Sequence, residues 1–167
     1  MKQLALARHG HAAPFESAAS DHARPLSRRG WSDVIAVGHR LLRYPWQPEL
    51  IVTSSAVRTL ETARCLAQAV SLGESAITVD RRLYQATVAG WLRVARELPN
   101  RANKVVLVGH NPGVSDFARW LQAGQPEAGF SPGTIVRLDL QISDWSELAP
   151  GQVLTQHREV AREHARG

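Results

Sequence analysis

The residues with chemistry to offer sit at the ends of apolar runs. Leu4-Ala-Leu-Ala leads into Arg8-His9-Gly10-His11, and Lys104-Val-Val-Leu-Val leads into Gly109-His110-Asn111-Pro112-Gly113. An imidazole serves as nucleophile or general base near neutral pH. The guanidinium of Arg8 offers a planar fork of donors that matches phosphate or carboxylate. A third apolar run, Leu50-Ile-Val-Thr53, is followed by Ser54, Ser55 and Arg58 at the start of a helical pattern. A helix start presents free N–H groups and the positive end of the dipole, so it is a candidate anion site. Two arginines, two histidines and a helix N-terminus meeting at one point would make a phosphate cradle. The bland alternative is two core histidines and two solvated arginines. What separates the two readings is whether the runs ending at Arg8 and Gly109 are neighbouring strands.

The elements that must position these groups can be read in order. Leu4–Arg8 is a short buried strand ending in a sharp turn. In open α/β sheets, ligands bind beyond the carboxyl ends of the strands, which is where Arg8 and His9 fall. Residues 11–27 form a long polar connection, of the kind that is functional or mobile. Ser27 is the expected N-cap of a helix with Trp31, Val34, Ile35, Leu41 and Leu42 on its apolar face, ended by Pro45 and Pro48. Leu50–Thr53 is a strand, and Ser54-Ser55 is expected to cap a helix from about Ala56 to Val70. Ile77–Val79 is a short strand. Val88, Trp91, Leu92, Ala95 and Leu98 mark a helix stopped by Pro99. Lys104–Gly109 reads as a central parallel strand buried on both faces. A helix carrying Val114, Phe117, Ala118 and Leu121 follows. Thr134–Leu140 alternates as an edge or half-covered strand does, and Leu154–Arg166 adds a strand and a terminal helix. Strands alternating with helices predict a three-layer α/β/α sandwich around a mostly parallel sheet, forming a single domain over residues 1–167.

Composition narrows the classes. Hydrophobic residues make up 44% and charged residues 21% of the chain, a globular balance. One cysteine, Cys65, leaves no internal disulfide and fits a reducing compartment; it falls in an apolar helical pattern and reads as a packing residue. The apolar run after Met1-Lys2 is too short for a signal peptide, and no stretch is long enough to span a membrane, so a soluble cytoplasmic protein with no membrane partner is expected. The formal charge of +5 is scattered, although Arg158, Arg162 and Arg166 recur as one helix face would. With no nucleic-acid motif beside it, that charge argues against a nucleic-acid partner. Gly-x-Gly-x-x-Gly follows no strand, which argues against a dinucleotide fold. His9 and His11 have no compact Cys or carboxylate set around them, so no metal is expected.

Taken together, these motifs resemble the histidine phosphatase (phosphoglycerate mutase-like) superfamily, and within it the compact phosphohistidine phosphatases of the SixA type. Arg8-His9-Gly10 is similar to the signature tripeptide whose His is phosphorylated. Asp21-His-Ala-Arg24-Pro25-Leu26-Ser27, with Gly30, resembles the Arg-Pro-Leu-Thr/Ser segment that opens the first helix. Thr53-Ser54-Ser55-Ala-Val-Arg58-Thr-Leu-Glu-Thr62-Ala63 resembles the Ser-Pro-x-x-Arg-x-x-x-Thr-Ala block. Val108-Gly109-His110-Asn111-Pro112 resembles the Val-Gly-His-x-Pro block with the second His. The four blocks follow the family's order across most of the chain. Ser55 stands where the family usually has Pro.

The resemblance implies the histidine-phosphatase fold and a hydrolase working through a phosphohistidine intermediate without cofactor or metal. Arg8, His9, Arg58 and His110 would be catalytic, with Ser54, Asn111 and His11 also contacting substrate. Many members carry a Glu or Asp near Leu83-Tyr84-Gln85-Ala86 as proton donor, whereas this chain has Gln85. The chain also lacks the large insertion of sugar-phosphate mutases. Both features resemble the compact branch and imply a phosphorylated protein, bearing phosphohistidine, as substrate. A small phosphate ester cleaved at the same site is the alternative, which calls for a carboxylate such as Glu16 or Asp21 to reach the leaving group. A non-catalytic phosphate- or phosphoprotein-binding module is the other.

Overall fold

The computed structural model describes residues 1–43, 46–126 and 128–161. Its elements, in chain order, are β1 (Lys2–Arg8), α1 (Arg28–Leu41), β2 (Leu50–Thr53), α2 (Val57–Ala69), β3 (Ile77–Val79), α3 (Val88–Arg96), β4 (Lys104–Gly109), α4 (Gly113–Leu121), β5 (Ile135–Leu140) and β6 (Val153–Glu159). The strands form one sheet in the order β3-β2-β4-β1-β5-β6. β1 to β4 pair in parallel, and β5 is antiparallel to both β1 and β6. The near-continuous apolar runs of β1 and β4 follow from their place: each has a strand on either side and helices over both faces.

Two hydrophobic cores flank the sheet. α1 and α2 bring Val34, Val37, Leu41, Ala63, Cys65 and Leu66 against Ala5, Ala7, Val106 and Val108. α3 and α4 bring Trp91, Val94, Val114 and Phe117 against Leu4, Leu6, Val105 and Leu107. The layers are therefore helix, sheet, helix, as the alternation of elements predicts. Register sets the height of the strand ends. Arg8 lies opposite Gly109, and Thr53 opposite Val108. The residues that follow, His9, His110 and Ser54, leave the sheet at one level.

The structure corrects several sequence-based expectations. In α1 the buried stripe runs through Gly30, Val34, Val37, Gly38 and Leu41. Ile35 and Leu42 lie off that stripe and are 36% and 44% exposed. The helix ends at Leu41, before Pro45, which lies outside the described residues. Thr134–Leu140 is no edge strand, because β6 pairs along it. Its polar residues are used in place: Arg137 lies over the Trp46 ring, and Asp139 accepts from Gln3. Arg158 sits in β6, so it does not belong to a helix face with Arg162 and Arg166, which lie outside the described residues along with the expected terminal helix. Ser27 caps α1 as expected, its hydroxyl accepting from Gly30 N–H at 3.0 Å.

Close packing explains Gly109, which ends β4. A Cβ there would lie 2.4 Å from Trp91 Cζ2. Trp91 is fully buried and packs on Phe117, so the ring has no room to retreat. Gly109→Ala should therefore destabilise the protein by roughly 1–3 kcal/mol, the usual range for overpacking a core. Urea denaturation should show a lower midpoint at unchanged slope.

Candidate active site

The parallel pairing of β1 and β4 brings the two imidazoles together. His9 and His110 have ring centroids 5.3 Å apart, and both are buried. His9 Nδ1 lies 2.7 Å from the Gly10 carbonyl oxygen. A carbonyl only accepts, so Nδ1 holds the proton and Nε2 keeps its lone pair in the neutral ring. His110 Nδ1 accepts from Arg58 Nη2 at 3.3 Å, because a guanidinium only donates. Neutral His110 therefore carries its proton on Nε2, 2.8 Å from Ser54 Oγ. Burial, outweighing the Gly10 hydrogen bond, lowers the His9 pKa to about 4, with further lowering from the charges of Arg58, Arg8 and Arg24. Burial first, then His9 and Arg58, lowers that of His110 to about 3. Both rings are neutral near pH 7.

Arg58, on the first turn of α2, ties the site together. Its Nε donates to His9 Nε2 at 3.3 Å and its Nη2 to His110 Nδ1. The opposite side is held by Asp21: Nη1 donates to the Asp21 carbonyl at 2.7 Å and Nη2 to Oδ2 at 3.0 Å. Oδ2 also accepts from Tyr84 hydroxyl at 2.9 Å, and Oδ1 from Arg24 at 3.2 Å. Burial pushes the Asp21 carboxyl up, but these donors outweigh it and hold it below the usual carboxylate range. The long 11–27 segment that delivers Asp21 is fastened to α2. Val57 N–H donates to the His22 carbonyl, and Leu26 N–H to Glu61.

Arg8 donates through Nη1 to the Phe130 carbonyl at 2.8 Å. Its Nε is buried without a hydrogen-bond partner among the described residues. Burial and the charge of Arg58 lower its pKa. Beside His110 and Arg58 lies a pocket of about 700 Å³, whose wall does not include His9 or Arg8. Asp21, Arg58, Tyr84, Gln85, His110, Asn111 and Asp116 contribute to its wall.

Of the residues singled out in the sequence, His9, Arg58, His110 and Ser54 form one hydrogen-bonded group, and Arg8 adds charge to it. Asn111 is on the pocket wall, its amide donating to the Phe130 carbonyl and its oxygen accepting from Ser115. His11 is apart: it is exposed and hydrogen-bonds Ser27. Ser54 and Ser55 do not cap α2. The N-cap is Ala56, while Ser54 serves His110 and Ser55 bonds His22. At the α2 N-terminus the 11–27 segment takes Val57 N–H through the His22 carbonyl. Sequence reasoning missed Tyr84 and Thr62. Thr62 Oγ1 accepts from Gly10 N–H and donates to the Arg58 carbonyl, coupling the two turns. Its place in the Arg58 block, and Tyr84's beside Gln85, were the available signals. Among the described residues no His, Cys, Asp and Glu cluster could hold a metal, and no helix is long and apolar enough to cross a membrane.

A doubly covered parallel sheet with paired histidines and arginines at its carboxyl edge defines a class of phosphate-handling α/β proteins. Residues 4–91 match the model of the histidine phosphatase superfamily (branch 1). An uncharacterized chloroplastic protein of Arabidopsis thaliana is 32% identical over 130 residues, covering 72% of this chain and 59% of that relative's length. A structure of the protein histidine phosphatase SixA complexed with tungstate superimposes with TM-score 0.78 at 25% identity, covering 92% of this chain and 95% of that one. The SixA of Nakamurella multipartitia gives TM-score 0.78 at 24% identity, covering 93% and 95%. The chain belongs to the histidine phosphatase superfamily.

The depressed imidazoles make stability depend on pH. In the unfolded chain they titrate near 6.5, and in the fold at about 4 and about 3. Between these values the unfolded state binds more protons, so stability falls as pH drops below 6.5 and is unaffected by these groups above it. Each contributes on the order of 1 kcal/mol per pH unit across its window. Urea denaturation across this range should show the slope, and His110→Asn should flatten it.

Proposed function

We propose that this protein is a phosphohistidine phosphatase whose nucleophile is His9. The observation that carries the reading is the tautomer: Gly10 fixes the proton on Nδ1 and leaves the Nε2 lone pair directed at Arg58. Nε2 attacks phosphorus in line, forming a P–N bond as the bond to the leaving group breaks. Water then attacks phosphorylated His9, releasing inorganic phosphate and the free imidazole. Arg58 turns the Nε and Nη2 edge that now faces the histidines onto the phosphoryl oxygens, and the partnerless Arg8 Nε supplies another donor. A dianion between the rings favours charged His110, whose Nδ1 then donates rather than accepts. Tungstate, held by the related SixA, is likewise a tetrahedral oxyanion.

The leaving group follows from what the pocket lacks. Gln85, on its wall, cannot act as an acid. Asp21 is held ionised by its three donors. Glu16 is exposed and away from the wall. An alkoxide needs protonation, a contribution of roughly 10²–10⁴-fold. An imidazole protonated at its distal nitrogen leaves as a neutral ring without that help. This favours phosphohistidine on a protein over sugar and other alkyl phosphates. The second reading, a small-molecule phosphomonoesterase, has one observation behind it. Asp116 is the other carboxylate on the wall, 3.5 Å from Arg119, and could protonate an alkoxide.

His9→Ala should abolish turnover while leaving the circular dichroism spectrum unchanged, and rapid acid-free quenching of the unmodified enzyme should trap one phosphoryl group on His9. Arg58→Ala should weaken vanadate binding by roughly 1.5–3 kcal/mol, the range for charged hydrogen bonds. A leaving-group series should rank phosphohistidine and aryl phosphate above alkyl phosphate by roughly 10²–10⁴-fold in kcat/KM. Equal rates across the series, with a selective loss on alkyl phosphate in Asp116→Asn, would establish the second reading instead.

A further inference from the structure

We infer that Asp21 and Tyr84 are positioning residues that aim the Arg58 guanidinium, so that the 11–27 segment acts on catalysis through Arg58 and supplies no acid. This deepens the phosphatase reading and rests on Arg58 binding the phosphoryl group. The argument starts from the five N–H donors of a guanidinium, fixed in one plane. Nε and one Nη2 hydrogen point to His9 and His110, at 3.3 Å each. The other Nη2 hydrogen and one Nη1 hydrogen go to Asp21, through side chain and backbone at 3.0 and 2.7 Å. One edge of the plane is thus anchored while the other faces the reacting atoms. The anchored contacts are the shorter ones, and a carboxylate accepting from a guanidinium makes the stronger bond.

Tyr84 fixes the anchor in turn. Its hydroxyl fills the remaining site on Asp21 Oδ2, and its ring meets His110 edge-on at 5.4 Å between centroids. The next residue, Gln85, has φ +55°, a left-handed conformation uncommon for a residue with a side chain. That turn carries the chain from Tyr84 into the pocket wall. Arg24 on Oδ1 and the His22–Val57 backbone bond hold Asp21 from its own segment. A carboxylate with three donors already on it is built to accept and to stay charged. That is the requirement for orienting a cation, and the opposite of the requirement for an acid.

The test separates these roles by leaving group. Asp21→Ala and Tyr84→Phe are assayed with phosphoimidazole, an aryl phosphate and an alkyl phosphate, and vanadate affinity is measured for each. Mis-aiming a clamp by about 1 Å lowers rates by about 100-fold. Asp21→Ala should therefore lose roughly 10–100-fold in kcat/KM by the same factor on all three substrates, with vanadate affinity falling in parallel, and Tyr84→Phe should lose less in the same pattern. Asp21→Glu should restore part of the loss. In an Arg58→Ala background, Asp21→Ala should have little further effect on vanadate affinity. A loss that grows with leaving-group basicity would make Asp21 an acid and overturn the inference. So would full activity in Asp21→Ala, or an undiminished effect without Arg58. Should Asp21→Ala fail to fold, Tyr84→Phe, which removes a single hydroxyl, decides by the same pattern. Absence of phosphoryl transfer to His9 would instead fail the phosphatase reading, whatever the vanadate data show.

Discussion

The parallel register of β1 against β4 is the constraint on which the site depends. With Arg8 opposite Gly109, the next residue on each strand is a histidine, and the two rings leave the sheet side by side. Side chains alternate along a strand, so a slip of one residue would send one imidazole to the other face. The slip is opposed along the whole length of both strands. Leu4 and Leu6 belong to one core, Ala5 and Ala7 to the other, and neither set could exchange faces without exposing or overcrowding the layers above it. Site geometry is thus enforced by packing that touches no substrate.

Charge is the second constraint. Two buried imidazolium ions 5.3 Å apart would repel by about 3 kcal/mol at an effective dielectric of about 20, before any loss of hydration. Arg8 and Arg58 would add to that. Keeping the rings neutral relieves the repulsion, and it also leaves nitrogen lone pairs for the Arg58 N–H groups. Asp21 balances one of the guanidiniums at its outer edge, away from the histidines. The result is a cationic surface whose positive charge resides on arginine, where it cannot be titrated away, while the imidazole nitrogens beside it keep their lone pairs.

Much of this was legible in the chain, for identifiable reasons. Leu50–Thr53 and Lys104–Gly109 emerge with the boundaries expected of them, because a buried apolar run closed by polar residues admits few readings, and the short β-branched edge strand Ile77–Val79 does so as well. The proximity of His9 and His110 followed once their strands were neighbours. What was not legible depended on partners remote in sequence. Ser54 looks like a helix cap by local rules, yet His110 takes its hydroxyl. At the α2 N-terminus the His22 carbonyl arrives from the preceding segment to take Val57 N–H, a contact that no local pattern announces. Ile35 obeys helical spacing but falls just outside the stripe that α2 and the sheet cover. Asp21 carries no local sign that Arg58 and Tyr84, from separate parts of the chain, will join its neighbour Arg24 in donating to it.

Cys65 lies on α2 about two turns beyond Arg58 and is fully buried between the helices and the sheet. Burial, with help from Glu61, pushes its thiol up to about 12, so the reactive thiolate is scarce in the native protein. Alkylation therefore reports on openings that free α2 from its core, and these are among the larger excursions of the fold. An anion held by Arg58, as proposed, would stabilise the closed state by mass action, to an extent that grows with the logarithm of the ratio of its concentration to its dissociation constant. On the proposed function, the lone cysteine would serve as a built-in clock: the rate at which a thiol reagent consumes it would register occupancy of a phosphate site that it never touches.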